Sequence, residues 1–257
     1  MSAYLVTGGG TGIGAAIAAR LAADGGDVVI VGRRRAPLEE VAATHPRIAA
    51  VAADAADGAA MRRVVEGIGE SYGSLDGVVA NAGGHGYETI GGTDDEAWRA
   101  SLEANLTTAF VTAREALGGL QESRGSIVVV SSLSGLRAAP QTAGYTVGKH
   151  ALLGLVRSLA RDYGPRVRAN AVCPGWVRTP MADEEMRVLV DSGGAADIDA
   201  AYAAVTRDVP LARPAAAEEI AGAAAFLLGP DAGYVNGATL VVDGGAHIVD
   251  VPTLAFG

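Results

Sequence analysis

Lysine is almost missing from this chain. Of twenty basic residues, nineteen are arginine, and Lys149 carries the only side-chain primary amine. Cysteine is equally scarce: Cys173 stands alone, which excludes an intrachain disulfide framework and fits a reducing compartment. Aromatic residues make up only 5%, too few for the packing expected of a β-sandwich. Positive charge is short as well. The formal net charge is −9 and no basic run exceeds Arg33-Arg34-Arg35, so the surface as a whole repels phosphate backbones and nucleic acid is not an expected partner. No apolar run approaches the ~18 residues of a membrane helix. An apolar strand-like stretch begins at Ala3, so no signal peptide is expected either. These absences predict a soluble, cytoplasmic protein.

What the chain does contain is glycine (36 residues) and a large apolar fraction (49%) set against 19% charged residues. Short apolar runs alternate with longer alanine-rich segments. The runs at 3–7, 27–32, 47–52, 76–80, 125–131, 166–173 and 238–243 read as strands. Segments near 12–24, 36–44, 57–72, 94–119, 143–163 and 215–228 read as helices. Continuous apolar character, without alternation, fits strands buried on both faces of a parallel sheet. The order predicts a single-domain α/β fold over residues 1–257, a Rossmann-like doubly wound sheet of about seven parallel strands with helices on both faces. One stretch breaks the rhythm: Thr179 to Pro210 is long and polar at its middle, and reads as a flexible segment covering the substrate.

Two local patterns carry chemistry. Thr7-Gly8-Gly9-Gly10-Thr11-Gly12-Ile13-Gly14 follows the first strand and opens a helix. Glycines there permit positive φ and let a pyrophosphate approach the helix's positive end. The second pattern is Tyr145 with Lys149 four residues on. That spacing puts both side chains on one helix face. A neighbouring ammonium favours phenolate over phenol, so Tyr145 is expected to have a pKa below its usual ~10 and to exchange a proton near neutral pH.

Together these patterns resemble the short-chain dehydrogenase/reductase family, and within it members like the 3-oxoacyl-carrier-protein reductases. The resemblance spans essentially the whole chain. Asn81-Ala82-Gly83 follows the fourth strand as the family's Asn-Ala-Gly motif does, and Asn105 lies in the next helix at the place of the family's asparagine. Ser132 ends the fifth strand, Pro174-Gly175 follows the sixth with Thr179 four residues beyond, and Asp243-Gly244-Gly245 closes the last. One departure is Val147-Gly148, where many members have Ala-Ser. These positions are expected to face away from the Tyr145/Lys149 stripe and to leave the chemistry intact.

The resemblance implies hydride transfer between a nicotinamide and a carbonyl or carbinol carbon. Tyr145 would exchange the proton, Lys149 would lower its pKa and hold the nicotinamide ribose, Ser132 would donate to the substrate oxygen, and Asn105 would anchor a water in a proton relay. It also implies dinucleotide contacts from Gly8, Thr11, Gly12, Ile13 and Gly14; from Asp54 and Ala55; from Asn81, Ala82 and Gly83; from Tyr145 and Lys149; and from Pro174, Gly175, Val177 and Thr179. The second strand ends Gly32-Arg33-Arg34, with no carboxylate for a ribose diol and two guanidinium groups for a 2′-phosphate, so NADP is preferred and NAD is the alternative. Thr11 speaks the other way, since many NADP users of the family have a basic residue there. No metal is expected. The substrate pocket is expected to draw on His85, Leu133, Ser134, Gln141, Trp176 and Met181, with Gly84, Tyr87 and Met186 nearby, favouring a neutral, largely apolar ketone or secondary alcohol. Assembly into a homotetramer or dimer is implied. Two other readings stay open: a dinucleotide sensor without turnover, and a dehydration or epimerisation, for which His85, Asp183, Glu184 and Glu185 are candidate extra acids or bases.

Overall fold

A computed structural model describes residues 2–256. Seven parallel strands form one sheet: β1 (Ala3–Thr7), β2 (Asp27–Gly32), β3 (Ile48–Ala52), β4 (Gly77–Ala80), β5 (Ser126–Val130), β6 (Arg168–Pro174) and β7 (Thr239–Val242). Their spatial order is β3-β2-β1-β4-β5-β6-β7. Each strand offers alternate residues to opposite faces. In β5, Ile127 and Val129 enter one core while Val128 and Val130 enter the other. One core is completed by α3 (Gly58–Tyr72), α5 (Thr108–Ser123) and α6 (Ala143–Tyr163), the other by α1 (Gly12–Ala23), α2 (Arg35–Ala42) and α9 (Ala217–Leu228). The doubly wound sheet expected from the alternation is therefore the fold. The order reverses between β1 and β4, which opens a crevice at their carboxyl ends where such sheets bind ligands.

Two stretches differ from their sequence reading. The segment 94–119, expected as one helix, is broken: α4 (Asp95–Leu102) runs into a π-helical turn at Glu103–Thr107 before α5 begins. The stretch 179–210, expected to be irregular, is mostly helical, with α7 (Pro180–Asp191) and α8 (Ile198–Thr206). Thr179 caps α7, accepting from the Ala182 amide at 3.2 Å with Pro180 at the first turn, and Asp197 caps α8, accepting from Ala200 at 2.8 Å. Ala182, Met186, Ala201 and Tyr202 form a small core of their own between the two helices.

Arg168 ties the end of the sheet to α9. Its guanidinium donates to the carbonyls of Leu227 (2.8 Å), Gly229 (3.2 Å) and Leu228 (3.3 Å) at the helix C-terminus, where cations are favoured. Arg168→Met removes those donors and is expected to cost about 2 kcal/mol; urea denaturation should show a lower midpoint with an unchanged slope.

Candidate active site

One side of the crevice is built by Thr7. Its Oγ1 accepts from the amides of Asn81 (3.1 Å) and Ala82 (3.2 Å), which locks the end of β1 to the Asn-Ala-Gly turn after β4. Asn81 Nδ2 returns two bonds, to the carbonyls of Thr7 (3.1 Å) and Gly8 (3.2 Å). Asn81 thus braces the glycine loop through its side chain. Gly8 and Gly12 sit at φ 66° and 54°, a conformation that favours glycine. A Cβ on Gly14 would overlap the Gly8 carbonyl oxygen, so α1 starts hard against the turn. Thr11 caps α1 in an extended conformation without a side-chain cap bond, and the first turn carries no acidic residue. The cradle therefore fits an anion such as a dinucleotide's pyrophosphate: close backbone approach, a positive helix end and no competing carboxylate.

Around that cradle, Ile13 is half-buried on α1, and Ala82 and Gly83 line the turn after β4. Arg33 and Arg34 are exposed beyond β2, and neither forms an ion pair among the described residues. Asp54 is exposed beyond β3, with Oδ1 accepting from Ala56 at 2.9 Å, while Ala55 is buried. Pro174 ends β6 and Val177 is buried. A Cβ on Gly175 would stand 2.9 Å from the Asp243 Cα, so this turn needs glycine for close backbone passage. Thr179 meets Gly12, whose Cβ would lie 3.1 Å from Thr179 Cγ2.

On the other side of the crevice, α6 presents Tyr145 and Lys149 on one face, with Lys149 Nζ 5.6 Å from the Tyr145 ring centroid. Lys149 is buried, and Nζ donates to the Val130 carbonyl at 3.0 Å. Ser131 Oγ donates to the Lys149 carbonyl at 2.9 Å, pinning α6 to the end of β5. Ser132 follows, close enough to the Tyr145 phenol to favour its ionised form, and its Oγ accepts from the Ser134 amide at 3.1 Å. The structure thus brings Ser132, Tyr145 and Lys149 together. Burial lowers Lys149 to about 8.

The expected lowering of the Tyr145 pKa is corrected by the surroundings. Burial pushes the phenol up, the Ser132 hydrogen bond pulls it down, and the Glu185 carboxylate pushes it up again. The net direction is up. Tyr145 is a protonated acid in the protein alone.

Asn105 sits in the π-helical turn, a distortion that recurs at functional sites. Its side chain is fully engaged: Oδ1 accepts from Gly84 N (2.9 Å), and Nδ2 donates to the carbonyls of His85 (2.9 Å) and Ser101 (3.0 Å). The side chain therefore fixes the 84–85 loop. Gly83 lies between the groups, for its Cβ would be 3.4 Å from both Asn105 Oδ1 and Lys149 Nζ. Val147 is exposed, while Gly148 is buried against Asn105, and a Cβ there would stand 2.6 Å from the Asn105 Cβ.

The loop after Asn81-Ala82-Gly83 is tied to the start of α6 by Tyr145 N donating to the Gly86 carbonyl (3.3 Å) and Ala143 N to the Glu88 carbonyl (3.0 Å). This sets the Tyr87 ring 5.4 Å from Tyr145. Met181 of α7 reaches Gly84 and lies 3.9 Å from the Tyr87 hydroxyl. Glu185 lies one turn further along α7, and burial first and then its carboxylate push the Tyr87 phenol up. Leu133 and Ser134 are half-buried beside Ser132, Trp176 stands partly exposed before α7, and Gln141 is exposed at φ 56°. The His85 side chain is exposed, and only its backbone carbonyl takes part in the recorded bonds. Asp183 faces away, accepting from Tyr202 at 2.9 Å. Tyr87 thus packs directly against the phenol ring. Only the helical register of α7, with Met181 and Glu185 one turn apart, would have singled out Glu185 in the sequence.

Comparison with known proteins agrees with this geometry. A family model described as enoyl-(acyl carrier protein) reductase matches residues 8–247. Protein MoaE of Klebsiella aerogenes is 48% identical, over 98% of this chain and 98% of its own. 2-(S)-hydroxypropyl-CoM dehydrogenase 3 of Xanthobacter autotrophicus is 35% identical, over 93% of this chain and 94% of its own. A crystal structure of an actinorhodin polyketide ketoreductase with NADPH superposes with a TM-score of 0.89 at 31% identity, covering 95% of this chain and 96% of that one.

The Gly148 contact can be tested directly. Gly148→Ser forces a side chain against Asn105 and is expected to destabilise the fold by about 1–3 kcal/mol. A thermal melt should show a lower Tm, and an unchanged Tm would mean that Asn105 does not need this close approach.

Proposed function

This chain belongs to the short-chain dehydrogenase/reductase family of oxidoreductases, and we propose that it interconverts a ketone and a secondary alcohol with NADP(H) through Ser132, Tyr145 and Lys149. The observation that carries this reading is the meeting of the Tyr145 phenol and the buried Lys149 ammonium at the end of β5, beside a glycine-walled anion cradle. NADP(H), when bound, supplies or accepts the hydride. In reduction, Tyr145 donates its proton to the carbonyl oxygen as that oxygen gains charge. Ser132 donates a hydrogen bond to the same oxygen and stabilises the developing alkoxide. Lys149 then stands beside the new phenolate, where its positive charge is stabilising. Asn105 contributes by holding the 84–85 loop and by shaping the π-helical turn.

The cofactor preference rests on Arg33 and Arg34. Both guanidinium groups are exposed beside the end of β2 and able to grip a 2′-phosphate. Gly32 is not demanded by packing: a Cβ there would meet Leu38 at an ordinary 3.6 Å, so a carboxylate at this place would be sterically tolerated. The ketoreductase crystallised with NADPH points the same way. The pocket's Met181, Leu133, Tyr87 and Trp176 suit a substrate with a largely apolar body.

Two measurements test the reading. Tyr145→Phe is expected to slow ketone-dependent NADPH oxidation by roughly 10²–10⁴-fold with the fold intact by circular dichroism. In the wild type the reduction rate should fall as pH rises through about 8, because Lys149 then loses the charge that supports the phenolate; Lys149→Met should be slow with no such inflection. For the cofactor, Arg33→Asp should shift the ratio of kcat/KM values for NADPH and NADH by about 10–100-fold toward NADH. Equal use of both coenzymes by the wild type would end the NADP assignment.

A further inference from the structure

Glu185 stands where the proposed chemistry is poorly served by a negative charge. It lies on α7, half-buried, close enough to Tyr145 to oppose phenolate formation. The neighbour its carboxylate acts on is the Tyr87 phenol, and it enters no ion pair among the described residues. An ionised carboxylate has roughly four acceptor positions, so one phenol leaves most of its capacity open. A side chain that costs desolvation and works against the catalytic phenol is compensated when a ligand brings a donor or a positive charge to it.

The surroundings are arranged to aim this carboxylate. Met181 and Glu185 occupy one face of α7, one turn apart, and both meet Tyr87. Tyr87 in turn packs 5.4 Å from the Tyr145 ring, so the carboxylate, the bridging phenol and the proposed acid form one continuous wall. The opposite face of α7 is committed elsewhere, with Ala182 and Met186 in the small core and Asp183 bonded to Tyr202. Glu185 is thus directed to the site while its neighbour Asp183 is not.

Building on the reductase reading above, we propose that Glu185 is a specificity-determining residue that accepts a hydrogen bond from an ammonium or hydroxyl group carried by the substrate near its reacting carbonyl. The preferred substrate is then an amino or hydroxy ketone with an apolar body, or the corresponding alcohol, in place of a plain neutral ketone. Tyr87 holds the carboxylate in position, and Met181 covers the apolar part.

Matched probes test this: acetophenone, 2-hydroxyacetophenone and 2-aminoacetophenone, with wild type, Glu185→Gln and Glu185→Leu. Initial rates of NADPH oxidation give kcat/KM, and calorimetric titration into the NADP-loaded protein gives affinity. The wild type is expected to favour the amino ketone over acetophenone by at least about 10-fold. Glu185→Gln should lower kcat/KM for the amino ketone relative to acetophenone by about 10–100-fold, over and above any change that the lost charge near Tyr145 makes to all probes alike, and Glu185→Leu should also remove the preference for the hydroxy ketone. Equal losses on all three probes, or a wild type that does not discriminate, would overturn the proposal. Should no ketone be turned over, the reductase reading fails, and titration still decides about Glu185: wild-type affinity for the amino ketone no greater than for acetophenone rejects it, and a preference lost in Glu185→Gln retains it.

Discussion

A single buried ammonium holds this site together. Taking a charge out of water is costly, and a lysine placed at the end of a parallel sheet must recover part of that cost from fixed dipoles. Lys149 does so through the Val130 carbonyl, the last residue of β5, while Ser131 grips the lysine's own backbone carbonyl. The two bonds run in opposite senses between strand and helix. Together they fix the height of α6 against the sheet, and with it the meeting of Tyr145 and Ser132. An arginine, with its planar fork and longer reach, would not fit the same point contact. That accounts for one amine surviving in a chain otherwise committed to guanidinium groups.

The second organising element is the irregularity between α4 and α5. A regular helix would carry Asn105 past the crevice as an ordinary surface position. The π-helical turn instead buries it, with three side-chain hydrogen bonds to backbone groups of the 84–85 loop and of Ser101. The loop so held carries Tyr87, and Tyr87 packs against Tyr145. Positional information therefore passes from a helix defect to the Tyr145 phenol through backbone groups and one aromatic contact. Gly148 is part of the same device, since only a residue without a side chain lets α6 approach Asn105 so closely.

Much of this was legible in the sequence. Continuous apolar runs set the seven strands, and glycine spacing placed the anion cradle, because both follow from local constraints on pleat and φ. The fourfold spacing of Tyr145 and Lys149 correctly put them on one face. What spacing could not supply was the dielectric environment. The phenol's pKa follows from how deeply it is buried and from Glu185, a residue forty positions away that reaches it only through the tertiary fold. The helices of 179–210 were missed for a related reason. Polar Asp191 to Gly194 reads as a break, which it is, but the flanking amphipathic turns are short and find their apolar partners only in each other.

That small second core has an evolutionary consequence. Ala182, Met186, Ala201 and Tyr202 pack among themselves, so α7 and α8 form a cap whose interior is separate from the two cores flanking the sheet. Sequence change inside this cap can be absorbed there without repacking either core that flanks the sheet. Cap and scaffold are, in this architecture, free to diverge at different speeds.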